Sequence, residues 1–262
     1  MKPFISSIWR QPPPDLAARI ENCIRDACAR FVNTEPGRIY FRADDVAVPG
    51  RQFYRMMELF SVYRVPLSLA VVPAWLTHER WKSLQKFAPK SSSLMCWHQH
   101  GWRHFNHETD GRNDEFGSAR LYSELKHDLL RGRQRLEDIL ENHFYPVFTP
   151  PWNRCNQVTL ELLKKYRYHA VSRNCGASPS SPENLPDLCV DVDLHTRKVK
   201  DPVSGWDHLF KVLKKDISSG RCGIMLHHQK MNAAAFDFLD ILLRTLSQSK
   251  NIVPVNFKDL LK

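Results

Sequence analysis

Short apolar runs alternate with longer segments of helical periodicity along this chain, and that alternation limits the fold more than any other feature. The apolar runs predict strands at 38–42, 66–72, 93–97, 145–148, 169–172, 189–192, 223–226 and 252–254. Amphipathic segments predict helices at about 15–31, 51–63, 78–87, 118–142, 157–166, 206–219, 232–248 and 256–261. Strand–helix alternation of this kind predicts an α/β fold with a mainly parallel sheet, either doubly wound or closed as a barrel.

The chain of 262 residues is predicted to form a single domain. The Ser/Pro-rich segment 174–187 reads as a loop and is too short for a convincing domain linker. Residues 1–37 are expected to form a helical segment that packs on a domain of residues 38–262.

Composition narrows the class of protein. The net charge is +10, but the basic residues are scattered over predicted helix faces, so a nucleic-acid partner is not expected. The seven cysteines are odd in number and form no Cys-x-x-Cys pair, which predicts reduced, buried thiols. No apolar run is long enough to span a membrane, and the N-terminus does not resemble a signal peptide. A cytoplasmic protein without an obligatory protein partner is therefore expected.

Several predicted strands end in residues that bind metals or transfer protons. The segments concerned are Asp44-Asp45, His98-Gln99-His100, Pro150-Pro151-Trp152-Asn153 and His227-His228. In α/β folds of this type the chemistry gathers at the carboxyl ends of the strands. This convergence is the strongest functional signal in the sequence.

His100 and His104 are the sharpest of these candidates. An i, i+4 pair on a helical turn places two imidazoles about 6 Å apart, where they can share one ion. The adjacent carboxylates of Asp44 and Asp45 point to opposite sides of a strand, so one can bind the ion while the other faces a water. Two imidazoles and one carboxylate leave positions open for water, as in a catalytic zinc-type site.

Two further segments fit the same cleft. The loop from Thr149 to Arg154 is rigid and aromatic, and it can form a wall with a backbone N–H facing an oxyanion. An apolar strand ending at Leu226 leads directly into His227 and His228. Because the ordinary histidine pKa is near 6.5, a histidine at a strand end is a candidate general acid.

Taken in chain order, these motifs resemble the polysaccharide deacetylase family, that is, the NodB homology domain of carbohydrate esterase family four. The resemblance covers roughly residues 38–257 and implies a deformed (β/α) barrel. It also implies the following roles: Asp44 as general base; Asp45, His100 and His104 as metal ligands; Trp152, Pro151 and Met225 at the substrate and oxyanion; and His227 as general acid. His227 is preferred to His228 because Met225-Leu226-His227 fits the family's final motif.

The chain departs from the family pattern at three places. Arg42-Ala43 stands where the family has Thr-Phe, Gly101 replaces a Ser or Thr, and Thr149 or Pro150 stands near the position of an Arg that pairs with the base. These departures indicate a divergent, intracellular branch.

The departures also raise the question of which groups set the pKa of the general base and keep the general acid protonated. Arg42 lies two residues before Asp44, on the same face of a strand, and is predicted to lower the pKa of Asp44. Arg154 is the competing candidate. Asp191 or Asp193 is expected to keep His227 protonated by a hydrogen bond.

The expected function is removal of an N-acetyl or similar acyl group from a sugar or glycan, with one divalent metal ion, zinc being the expected one. The expected partner is a glycan or acylated amino-sugar substrate. One alternative is a hydrolase of non-sugar amides or other C–N bonds on the same metal site. The other is a catalytically silent module that binds metal or glycan.

Overall fold

Strands and helices alternate along the chain in the computed structural model, which describes residues 5–31, 35–87 and 93–262. The strands are Gly37–Val46 (β1), Leu67–Val71 (β2), Met95–His100 (β3), Phe144–Thr149 (β4), Ala170–Val171 (β5), Val192–Asp193 (β6), Arg221–Leu226 (β7) and Ile252–Val255 (β8). The α-helices are Leu16–Cys28 (α1), Arg51–Val62 (α2), His78–Leu84 (α3), Tyr122–Leu140 (α4), Gln157–Lys165 (α5), Pro202–Ser218 (α6), Ala233–Gln248 (α7) and Phe257–Leu260 (α8).

The strands form one sheet in the order β5-β4-β3-β2-β1-β7-β6, and β8 pairs with β1. The pairs β1–β7, β1–β8, β3–β4, β4–β5 and β6–β7 are all parallel. The predicted α/β fold, a deformed (β/α) barrel of mainly parallel strands in a single domain, is confirmed. Parallel strands joined by helical crossovers bring the ends of successive strands to the same edge, which is why strand-end residues can meet.

Within this domain the chain divides into two compact units. The first comprises the described parts of Met1–Ala43, Gly50–Leu67 and Asp191–Asn256. Here α1 packs on α6 and α7, and the Cys23 thiol lies 3.6 Å from the carbonyl oxygen of Phe210. The Trp9 ring is fully buried and packs against the rings of Trp206 and Phe238, with distances of 5.1 and 5.3 Å between ring centroids. The boundary between residues 1–37 and the rest stays a prediction.

The second unit comprises Asp44–Pro49, the described part of Ser68–Val190, and Phe257–Lys262. Its core contains the buried side chains of Trp102, Phe116, Leu129 and Phe148. This core lies under the loop that follows β3, so the loop is anchored by apolar packing as well as by hydrogen bonds.

The expectation that all seven cysteines are reduced thiols is wrong for two of them. Cys175 and Cys189 form a disulfide across the predicted loop, with their Cα atoms 4.9 Å apart. A parallel bridge between Asn174 and Val190 brings the two ends of the loop together, and nothing in the spacing of the cysteines signals this pairing. The other five cysteines are free and buried. Among the helices described, none has the length and apolar character needed to cross a membrane.

Candidate metal centre

Asp45, His100 and His104 converge in the second unit. The Oδ1 atom of Asp45 lies 3.3 Å from Nε2 of His100 and 3.2 Å from Nε2 of His104. All three candidate ligand atoms lie within 4.8 Å of one another. Ligand atoms of a tetrahedral zinc site with bonds of about 2.0–2.1 Å are separated by about 3.3 Å. The two measured separations therefore match the edges of such a site.

The backbone places two of these side chains through an uncommon conformation. Asp45 has φ of 59° near the end of β1, and His104 has φ of 57°. Because β1 continues to Val46, Asp44 and Asp45 lie inside the strand and not after it. The expected helical turn linking the histidines is wrong: His100 is the last residue of β3, and the segment to His104 is irregular. The histidines meet because this loop turns sharply.

Gly101 makes that turn possible. Its φ is +55°, and a Cβ atom there would lie 2.2 Å from Oε2 of Glu115 and 2.6 Å from Cγ of Pro151. A side chain would therefore meet both a left-handed backbone and neighbouring atoms that leave no room. The departure from the family's Ser or Thr at this position thus has a steric reason.

Glu115 holds the loop that carries His104, and sequence reasoning missed it. Its carboxylate is fully buried and accepts hydrogen bonds from the backbone N–H groups of Trp102 at 3.1 Å and Arg103 at 2.6 Å. Burial raises the pKa of Glu115, although these hydrogen bonds oppose that effect. A single Glu in a polar loop gives no signal in a sequence, because its burial depends on the tertiary fold.

We expect Glu115→Ala to weaken zinc binding by about 10–100-fold, the usual cost of losing an outer-shell partner. The two backbone N–H groups lose their acceptor, so the segment leading to His104 is no longer fixed. Zinc Kd would be measured by competition with a chromophoric chelator. Glu161→Ala, which removes an exposed carboxylate on α5, is the control and should bind zinc like the wild type. An unchanged Kd in folded Glu115→Ala would contradict this role.

His100 is oriented by a second hydrogen bond. Its Nδ1 atom lies 2.9 Å from the carbonyl oxygen of Thr149. A carbonyl can only accept, so Nδ1 carries a proton and Nε2 is the nitrogen that faces Asp45 and His104. Nε2 donates to Asp45 when His100 is charged, and its lone pair is available to a cation when His100 is neutral. The side chain of Thr149 is used elsewhere, because its Oγ1 lies 2.9 Å from Nε2 of His98.

The pKa values of the two histidines shift in opposite directions. Burial disfavours the charged form of His100, but its hydrogen bond to Asp45 and the charges of Asp44 and Asp45 outweigh burial and raise its pKa. Burial and the neighbouring His100 lower the pKa of His104. The two carboxylates thus favour a positive charge beside them, whether a proton on His100 or a metal cation. Asp44 itself is buried, with 3% of its surface exposed.

Trp152 forms one side of the centre. Its ring centroid lies 4.4 Å from that of His104. The preceding Pro151 is buried and fits against Gly101. Trp152 and Asn153 both have positive φ, 55° and 60°, so the chain turns sharply as it leaves β4. The turn presents the indole beside a candidate metal ligand.

Of the other predicted residues, those in the first unit are Arg42, Asp191, Asp193, Met225 and His227. Arg42 is fully buried in β1, and its Nη2 atom donates to Sδ of Met225 at 3.0 Å. Arg154, the competing candidate for tuning Asp44, lies in the second unit and donates from Nη1 to the carbonyl oxygen of Asn113 at 3.0 Å. The predicted action of Arg42 or Arg154 on Asp44 stays a prediction.

Asp191 and Asp193 both bond to backbone groups. Oδ2 of Asp191 accepts from the N–H of Gly223 at 3.1 Å. Oδ1 of Asp193 accepts from the N–H groups of His195 at 3.0 Å and Thr196 at 2.9 Å. These bonds fix the end of β6 and its approach to β7.

His227 is half-buried directly after β7, and its backbone N–H donates to Nδ1 of His195 at 3.1 Å. Sequence reasoning missed His195, although it too follows a strand end. Burial and the charge of His227 hold the pKa of His195 well below its usual value, so His195 is a neutral acceptor. His228 is buried, and its ring packs edge-on against Phe53 at 5.6 Å.

No family model matches this sequence, and no curated protein matches it. Solved structures do match. A Mycobacterium smegmatis protein assigned as a polysaccharide deacetylase is 14% identical with a TM-score of 0.59, covering 80% of this chain and 75% of its own. A family 4 acetyl xylan esterase from Clostridium thermocellum, in complex with cobalt, is 11% identical with a TM-score of 0.52. The match covers 85% of this chain and 89% of the esterase. A CE4 family pseudoenzyme from Bacillus anthracis is 13% identical with a TM-score of 0.51. The match covers 87% of this chain and 66% of the pseudoenzyme. The predicted resemblance to polysaccharide deacetylases is confirmed at the level of the fold, and the low identities fit a divergent member.

Proposed function

We propose that this protein is a metal-dependent hydrolase that removes an N-acetyl or similar acyl group from a sugar or glycan. The observation that carries the proposal is the convergence of Asp45, His100 and His104 on one point. The fold that this chain shares with deacetylases supports the same class of reaction but leaves catalysis open, because a pseudoenzyme has that fold too.

The three residues fit a divalent ion, zinc being the one that we propose. One carboxylate oxygen and two imidazole nitrogens are a donor set typical of catalytic zinc, and His100 has the second hydrogen bond that such ligands need. When bound, such an ion supplies Lewis acidity, lowering the pKa of the attacking water and polarising the acyl carbonyl.

The protein's own groups would move the protons. We assign Asp44 the role of general base, which takes a proton from the attacking water, since its neighbour Asp45 is turned toward the two histidines. The backbone N–H of Trp152 is proposed to stabilise the oxyanion. Pro151 and Met225 are proposed to contact the substrate. His227 is proposed to protonate the departing amine, with Asp191 or Asp193 supporting its charged form.

The test is a comparison of substrates with the zinc-loaded protein. Acetate release would be measured with N-acetylglucosamine oligomers and, separately, with small amides and imides. Release from the sugars that disappears on chelation and returns with zinc supports the proposal. Turnover of the small amides alone would instead identify a non-sugar amide hydrolase on the same site. Bound zinc without turnover of any acyl compound would identify a silent binding module.

Replacing His227 and His228 separately tests the acid. We expect His227→Ala to lower kcat by about 10²–10⁴, the usual range for a positioned proton donor. His228→Ala should lower the melting temperature, because it removes a buried ring from Phe53, and should affect kcat less. Steady-state rates and thermal unfolding of both variants are the measurements. The opposite order of effects on kcat would place the acid at His228.

The cytoplasmic localisation stays a prediction. The Cys175–Cys189 disulfide favours an oxidising compartment instead, because such bonds are rare in reducing ones.

A further inference from the structure

A polar pocket of about 400 Å³ lies within the second unit, on the side of Trp152 that leads toward the disulfide loop. Its lining includes Arg112, Trp152, Asn153, Arg154, Asn174 and Gly176. A volume of this size lies within the range of small-molecule sites, roughly 300–1,000 Å³.

The pocket is positively charged. Its lining residues include two arginines and no aspartate or glutamate. In the described part of the chain neither Arg112 nor Arg154 has a carboxylate within 4.0 Å. Burial and the charge of Arg112 lower the pKa of Arg154, while the nearby Asp114 opposes them. The two like charges are thus close enough to repel each other, and an anion between them would relieve that repulsion.

The walls of the pocket are held in place. The Arg154 guanidinium is fixed by its bond to the carbonyl oxygen of Asn113. The opposite wall follows Cys175, whose disulfide to Cys189 closes the loop. At Gly176, φ is +75° and a Cβ would meet nothing within 4 Å, so the space beside it is open. The Arg154 side and the disulfide-loop side of the pocket are therefore preformed, while Arg112 is exposed.

Trp152 links this pocket to the metal centre. The same side chain lines the pocket and contacts the His104 ring at 4.4 Å. A sugar lying against the indole can therefore present one substituent to the arginines and another to the metal ligands. Guanidinium groups match carboxylate and phosphate oxygens with two parallel hydrogen bonds, which a neutral hydroxyl cannot accept in the same way.

We propose that Arg112 and Arg154 bind an anionic group, a carboxylate or a phosphate, on the sugar that the enzyme deacylates. The substrate would then be an acidic acyl amino sugar. This inference rests on the proposed function for its substrate but can be tested without turnover.

The binding test uses zinc-loaded protein and three probes, glucuronate, glucose 6-phosphate and glucose, in calorimetric titrations. Wild type should bind at least one anionic probe at least ten times more tightly than glucose, a difference of about 1.4 kcal/mol. Arg112→Gln and Arg154→Gln should each remove most of that preference. Arg25→Gln, an exposed change of the same charge on α1, is the matched control and should keep it. Because Arg112 is exposed, its variant keeps the test valid if Arg154→Gln fails to fold.

Each outcome has one meaning. Preference for glucuronate alone assigns a carboxylate, and preference for glucose 6-phosphate alone assigns a phosphate. No preference over glucose, or a preference that both arginine variants retain, overturns the inference. Arginine-dependent binding without deacylation of any sugar would refute the proposed function and leave the anion site standing. Deacylation of neutral sugars without a preference for anions would support the proposed function and refute the anion site.

Discussion

His100→Ala should raise the zinc Kd by more than about 100-fold. Even the loss of an outer-shell partner costs about 10–100-fold, and this change removes a proposed ligand itself. Asp45→Ala should have an effect of the same order, since Oδ1 of Asp45 faces both histidines at 3.2–3.3 Å. The measurements are metal content after dialysis and chelator competition. His127→Ala, which removes an exposed histidine on α4, is the matched control.

The alanine variants also decide whether the centre has been identified. If folded His100→Ala and Asp45→Ala both keep zinc as tightly as His127→Ala does, the ion binds elsewhere and the three-residue centre is refuted. Circular dichroism of each variant separates loss of a ligand from loss of the fold.

Asp44→Asn should keep zinc bound and lower kcat by about 10²–10⁴, the contribution of a positioned general base. The change preserves the shape of a buried side chain and removes its negative charge, and with the charge its ability to take a proton. Asp45→Asn is the matched comparison, because it makes the same chemical change one residue later, at the proposed ligand. Zinc content and steady-state rates would be measured together. Equal loss of zinc in the two variants would show that the proposed division of labour between the carboxylates is wrong.

Local patterns were sufficient to predict the alternation of strands and helices and to single out Asp44, Asp45, His100 and His104, whereas the deformed barrel and the choice of Asp45 as ligand came from the resemblance to polysaccharide deacetylases. The hydrophobic periodicity of segments such as 66–72 and 157–166 is a property of neighbouring residues, and β2 and α5 form there. The Asp44-Asp45 pair and the two histidines could be placed near one another because strand ends of a parallel sheet meet at one edge.

Features that depend on contacts between distant residues could not be predicted. The irregular turn after His100 depends on Glu115 and Pro151, which lie 15 and 51 positions further on. The Cys175–Cys189 bond depends on how a loop folds back on itself. Spacing alone suggested a helix for the first and free thiols for the second, because neither cause is visible in the local sequence.

Positive φ angles occur at four residues at or beside the candidate centre, namely Asp45, His104, Trp152 and Asn153. A left-handed conformation costs most L-residues roughly 1–2 kcal/mol, Asp and Asn adopt it more readily, and glycine avoids the steric cost. Selection of variants for heat resistance alone should therefore favour glycine at His104 and Trp152, which would remove a proposed metal ligand or the indole. A library of variants made to raise the melting temperature would therefore have to leave these positions unchanged, because stability and activity favour different residues there.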